Sequence, residues 1–252
     1  MQAIDLNADL GESYGPWSMG DDDTMMDIVS SANIACGGHA GDAATMHSAL
    51  STAVQKGVVA GAHPGFDDKP GFGRRRIPLS SREIEQLIAS QLGTLSGVAG
   101  LAGASIRYIK PHGALSNWAA VDAGVSRAIA AAVKAAFPDL AVLAISGTQL
   151  EIESKKAGLE TYSEIFADRG YGDDGNLVPR SEPGAMIHNP SEACERLQRF
   201  FETGKMPTVS GGAVSLAADS ICIHGDSAHA VAMALEVRQM IVDNNISIAS
   251  FK

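Results

Sequence analysis

The stretch Asp5-Leu6-Asn7-Ala8-Asp9-Leu10-Gly11-Glu12 decides the fold. It is an apolar, strand-like run that ends in acidic and amide side chains beside a glycine, and the same construction recurs along the chain. Asn33 through Cys36 lead into Gly37-Gly38-His39. Then come Gly61-Ala62-His63-Pro64-Gly65, Ile109-Lys110-Pro111-His112-Gly113, Phe166-Ala167-Asp168-Arg169 and Ile223-His224-Gly225-Asp226. In a parallel β/α architecture the carboxyl ends of the strands open on one side, so polar groups far apart in sequence converge there. Polar ends on nearly every strand point to a β/α barrel with one composite active site. A doubly wound sheet would concentrate its site at a single switch point.

Working outward from these ends, strand-like runs lie at residues 3–8, 28–35, 58–63, 105–110, 140–146, 161–167 and 220–224. The stretches between them carry helix punctuation. Ser80 with Glu83 is a capping-box pattern, followed by Ile84, Leu87, Ile88, Leu92 and Leu95 at helical spacing. Asn189, Pro190 and Glu192 fit cap, first-turn proline and third-position glutamate for a helix carrying Ala193, Leu197 and Phe200. Gly57, Gly158 and Gly204 follow helical runs and read as helix stops. No linker, repeat or low-complexity tract divides the chain. The expectation is a single α/β domain over residues 1–252, a (β/α) barrel with seven or eight mainly parallel strands. Two glycine-rich stretches, 65–78 and 169–190, are too long for simple connections and read as functional loops at the site.

A length of 252 residues and 45% hydrophobic content support one large core, and 5% aromatics makes that core aliphatic. The net charge of −10 argues against nucleic acid or an anionic membrane as the main partner, since both require a basic face. Cys36, Cys194 and Cys222 form no CxxC pair and are odd in number, which suggests reduced, buried thiols. The N-terminus runs straight into a strand pattern without a signal-peptide profile, and no apolar run is long enough to span a bilayer. A cytoplasmic location is expected.

Alternate positions of a strand share a face, so Asp5, Asn7 and Asp9 point the same way, into the barrel if that face is internal. Unpaired burial of such groups costs several kcal/mol, so they require a proton, a cation or hydrogen bonds. Asp5 and Asn7 are equally consistent with tying strands together, whereas Asp9 and Glu12 sit nearer the rim, where catalytic groups lie. His39, His63, His112 and His224 occupy equivalent strand ends; His47, His188 and His229 fall in helical or pre-helical sequence and are treated as background. Asp9, His39 and His63 could hold a divalent metal as carboxylate–His–His, although the spacing is not a compact ligand motif. Lys110 could bind an anion, act as a base if its pKa is depressed, or form an interior salt bridge. Arg74, Arg75 and Arg169 offer further anion contacts. There is no GxxxxGK[ST] loop, no GxGxxG after a first strand and no GxSxG elbow. Cys36 reads more simply as a packing residue than as a nucleophile.

At these residues the chain resembles the LamB/YcsF family, which supplies the A component of 5-oxoprolinase. The stretches that carry the resemblance are 5–12 (DLNADLGE), 33–42 (NIACGGHAGD), 61–66 (GAHPGF), 71–75 (GFGRR), 110–115 (KPHGAL), 164–169 (EIFADR) and 222–226 (CIHGD). Ser116 before Asn117 departs from the tyrosine expected there and leaves the polar groups in place. The resemblance implies a barrel related to the glycoside hydrolase and deacetylase barrels. It also implies work with two partner subunits, B and C, to open 5-oxoproline to L-glutamate with ATP and Mg²⁺. The missing phosphate loop fits ATP being bound mainly by those partners. On this reading Asp9 or Glu12 is the general base, with His39 and His63 positioning water or moving protons. Lys110 and His112 stabilise developing negative charge, and Asn7, Arg74, Asp168, Arg169 and His224 contact the substrate. The rival readings are a metal-dependent deacetylase of an N-acetylated sugar and a non-catalytic subunit that binds 5-oxoproline.

Overall fold

A computed structural model describes residues 2–224 and 230–252, so Gly225 and Asp226 of the last polar strand end, and His229, lie outside the described residues. The elements run β1 (Ala3–Leu10), α1 (Asp22–Met26), β2 (Ser31–Ala35), α2 (Ala43–Lys56), β3 (Val59–His63) and α3 (Ser81–Ala102). They continue with β4 (Ile106–Ile109), α4 (Gly113–Val121), α5 (Ala123–Ala136), β5 (Ala141–Ile145), α6 (Gln149–Lys156) and β6 (Thr161–Phe166). The last are α7 (Pro190–Thr203), β7 (Lys205–Pro207), β8 (Ala213–Ser215), β9 (Ser220–His224), α8 (Ala230–Asp243) and β10 (Ser247–Ile248).

β1 shows why the sheet closes. Ile4, Leu6, Ala8 and Leu10 are at most 1% exposed and belong to the main apolar core, while the alternate residues Asp5, Asn7 and Asp9 are buried on the other face. A strand buried on both faces needs helices outside and other strands' side chains inside, which is the barrel solution. β1, β2, β3, β4, β5, β6 and β9 pair in that order, all in parallel, and β9 pairs back to β1. The ring therefore has seven strands, the seven read from the sequence. β10 is an eighth member of the sheet, but it only joins the first residues of β1 and stays outside the ring.

The helix signals act as their chemistry requires. Ser80 caps α3 with the full reciprocal box to Glu83, and the stripe Ile84, Ile88, Leu92, Leu95 and Ala99 is buried. Asn189 caps α7 by accepting from the Ser191 and Glu192 amides, with Pro190 in the first turn. Gly57 and Gly204 stop α2 and α7 in the left-handed region at φ 69° and 68°.

At the amino end of the barrel Phe251 packs against Tyr108 and Tyr162 with ring centroids 5.0 and 4.7 Å apart. At the carboxyl end the loops after β3 and β6 fold over the mouth. The first contains a 3-10 turn at Lys69–Gly71, fixed by the Asp68–Arg75 ion pair, and the second is tied by bridges Arg169–Met186 and Tyr171–Leu177. Among the described residues no helix is long and apolar enough to cross a membrane.

Candidate active site

The barrel interior is a polar column. Lowest is Asp5, whose carboxylate accepts from Ser30 and Ser31, each at 2.6 Å, and from Ser220. Above it, Asn7 donates to Glu164 Oε1 at 2.9 Å and to Ser220 Oγ at 2.7 Å, and accepts from Asn33 at 2.7 Å. Asn33 also donates to Asp9 Oδ1 at 2.8 Å and accepts from the Tyr108 hydroxyl at 2.6 Å. Asp5 and Asn7 thus serve as struts beneath the site, and Asn7 does not reach the cavity where a substrate contact was expected.

Lys110 crowns this column. Its ammonium lies 3.0 Å from Asp9 Oδ1, 3.0 Å from Glu164 Oε1 and 2.9 Å from Cys222 Sγ. Burial works against its charge, but Asp9, Cys222 and Glu164 outweigh it and raise the pKa well above the usual lysine range. Lys110 is therefore held as a cation in an interior salt bridge. Burial opposes ionisation of Asp9 as well, yet His63 and Lys110 hold its carboxyl well below the ordinary value. Burial pushes the Glu164 carboxyl up in spite of Lys110. Of the two carboxyls sharing this cation, Asp9 gives up its proton more readily than Glu164.

Three histidines sit above Asp9. His63 Nε2 is 3.3 Å from Asp9 Oδ2 and 3.0 Å from His112 Nδ1. His39 stacks on His112 with centroids 3.7 Å apart and planes 2° from parallel, and Phe72 meets both edge-on. Burial first, and neighbouring histidines second, depress the pKa of His39 and His112, so both rings are neutral. Phe72 adopts a left-handed φ of 53°, a costly conformation for a non-glycine residue, and its carbonyl accepts from His112. Gly73 lies against His39, and a Cβ there would come within 2.7 Å of that side chain.

A cavity of about 380 Å³ opens on this group, lined by Asp9, His63, Lys110 and His112 on one side and by Arg74, Arg169, Arg180 and His224 on the other. Glu12 and His39 face a neighbouring, more apolar cavity with Tyr14, Trp17 and Phe72. The histidine layer is the wall between the two. Arg169 lines the charged cavity, but its guanidinium donates to the Ala185 and Val178 carbonyls, so it also anchors the 169–190 loop. Asp168 turns from the cavity to His224, with Oδ2 2.8 Å from Nδ1, and is held ionised, burial notwithstanding, chiefly by that histidine. A carboxylate on Nδ1 fixes the tautomer with hydrogen there, leaving Nε2 as the nitrogen that can exchange a proton with a ligand. Arg75 pairs with Asp68 and takes no part in the cavity wall. Burial pushes the Cys36 thiol up to about 12, which removes it as a nucleophile.

Sequence reasoning missed Glu164, Cys222, Asn33 and Tyr108. Each sits within an apolar strand, and the available signal was inward alternation: Glu164 shares the inner face of β6 with the residues opposite Lys110.

The A component of 5-oxoprolinase from Rhodopseudomonas palustris is 48% identical over 249 residues, covering 98% of each chain. A lactam utilization protein from Thermus thermophilus superposes with a TM-score of 0.93 at 42% identity, over 99% of this chain and 100% of that one. A T48 deacetylase solved with substrate, at 13% identity and TM-score 0.50 over 99% of this chain and 88% of the other, shares the fold alone. The LamB/YcsF profile matches residues 4–252, and the chain belongs to the LamB/YcsF family.

Proposed function

We propose that this chain is one subunit of an ATP-dependent 5-oxoprolinase, which opens the lactam of 5-oxoproline to L-glutamate as ATP goes to ADP and phosphate. Full-length relatives named as 5-oxoprolinase subunits support the substrate, and the word subunit in those names supports partners. Two partner subunits would bind ATP with Mg²⁺ and phosphorylate the lactam oxygen, since a five-membered lactam is a poor electrophile without activation.

The observation that carries the reading is one cavity that joins a cationic wall to a histidine oriented by a carboxylate. Arg74, Arg180 and Lys110 suit a small molecule bearing a carboxylate and a phosphate. His224 Nε2 takes a proton from water as its oxygen bonds to the activated ring carbon. The same nitrogen returns that proton to the ring nitrogen as the carbon–nitrogen bond breaks, and the remaining hydroxyl hydrogen passes to the departing amine as the carbonyl forms. The product is an acyl phosphate, which a second water converts to glutamate and phosphate. Asp168 stabilises the imidazolium between the two transfers. Asp9, already the counter-ion of Lys110 and held ionised, is a weaker base than the sequence suggests, and its role becomes that of fixing Lys110 and His63.

The test is to combine this chain with the two candidate partner subunits, 5-oxoproline, ATP and Mg²⁺, and to follow glutamate and ADP together. Glutamate matched by ADP only when all three proteins are present is the expected result. ADP without glutamate, despite confirmed assembly, would remove the proposal.

A further inference from the structure

Glu12, His39, His63 and His112 turn ligand-type atoms on one another at the barrel mouth, all within 4.8 Å. The outer ring nitrogens fix two of the tautomers. His63 Nδ1 lies 2.7 Å from the Lys110 carbonyl oxygen, and His112 Nε2 lies 2.9 Å from that of Phe72. A carbonyl only accepts, so both outer nitrogens carry the hydrogen. With hydrogen on the outer nitrogens, the inner ones, His63 Nε2 and His112 Nδ1, face each other 3.0 Å apart. Glu12 Oε1 approaches His112 Nδ1 to 3.7 Å, and Asp9 Oδ2 approaches His63 Nε2 to 3.3 Å. Two buried ring nitrogens facing each other at 3.0 Å require something positive between them, either a proton or a metal cation.

The outer contacts favour the cation. An imidazole whose second nitrogen donates to a backbone carbonyl is oriented as metal-bound histidines are. His63 and His112 both meet that condition. His39 does not, because its Nδ1 is buried without a partner while Nε2 faces Glu12 at 3.2 Å. Asp9 lies outside the convergent set, and its Oδ1 is occupied by Lys110 and Asn33.

We propose that His63 Nε2, His112 Nδ1 and the Glu12 carboxylate bind one divalent cation of the imidazole-preferring kind, such as zinc, with His39 as a packed wall. Of Asp9, His39 and His63, the candidate ligands that the sequence offered without favouring a metal, only His63 belongs to this set. This proposal concerns binding alone and stands or falls separately from the lactam reading.

The test uses the whole chain, dialysed against a chelator and titrated with Co²⁺, then with Zn²⁺ in competition. One equivalent of Co²⁺ with visible ligand-field bands, displaced by Zn²⁺, is expected. His112→Ala and Glu12→Gln should each weaken affinity roughly tenfold or more, and His39→Gln should retain one equivalent. No binding at millimolar metal overturns the proposal, as does binding that both ligand variants keep. Should those variants fail to fold, ¹⁵N NMR of the wild-type imidazoles decides. Both inner nitrogens should shift with Zn²⁺, whereas a proton shared between the rings that no metal displaces contradicts the site.

Discussion

Lys110→Met tests the charge arrangement inside the barrel. The substitution keeps most of the side-chain volume but removes the cation that lies 3.0 Å from both Asp9 and Glu164, each almost fully buried. Removing one partner of a buried ion pair leaves an uncompensated charge and costs about 3–5 kcal/mol. For a chain of this size each kcal/mol lowers Tm by about 2–4 °C, so a fall of about 6–20 °C is expected at neutral pH. The pH dependence has a definite sign. With its folded pKa depressed, Asp9 contributes stability that is present above the unfolded value of about 3.9 and is lost as pH falls through the lower folded value. Without Lys110 both carboxyls rise, so the variant's deficit is largest at neutral pH and shrinks as pH falls through the carboxyl range. Adding Asp9→Asn to Lys110→Met should recover most of the loss, because it removes the more readily ionised of the two carboxyls left without a cation. Urea or thermal unfolding of the wild type and both variants across that range is the assay. A single variant within ~1 kcal/mol of wild type, below the cost of a broken buried pair, or a deficit independent of pH, would refute the reasoning.

Three further outcomes are expected. Gly61→Ala places a Cβ about 2.3 Å from the Tyr108 ring, so it should cost about 1–3 kcal/mol by overpacking in chemical denaturation. Arg74→Ala removes a cation from the cavity wall and should raise KM for 5-oxoproline about tenfold or more in the reconstituted enzyme. Asn189→Ala deletes the α7 cap and should cost about 1 kcal/mol in unfolding experiments while leaving turnover intact.

The seven ring strands were legible because each is an apolar run closed by polar residues and glycine, with helices punctuated by Ser80, Asn189 and Gly57 between them. The β7–β8 hairpin and β10 were not, since two or three residues carry no periodicity and their pairing is set by tertiary contact. Asp9, His63, Lys110, His112, Arg169 and His224 meet at one cavity, in line with their positions at strand ends, and Arg74 joins them from the loop after β3. Their partners were hidden. Nothing in the spacing places Glu164 on Lys110 or Asp168 on His224, because each contact joins strand ends far apart in sequence, β4 with β6 and the neighbouring pair β6 and β9. Stacking of His39 on His112 likewise depends on two loops converging, and no local pattern encodes it.

His224→Asn in the assembled enzyme probes the ring opening proposed for this histidine. Asparagine retains a polar side chain but cannot shuttle a proton. Glutamate formation should fall roughly 10²–10⁴-fold, with assembly and unfolding temperature preserved. Glutamate formed at the wild-type rate by an intact His224→Asn complex would contradict the account.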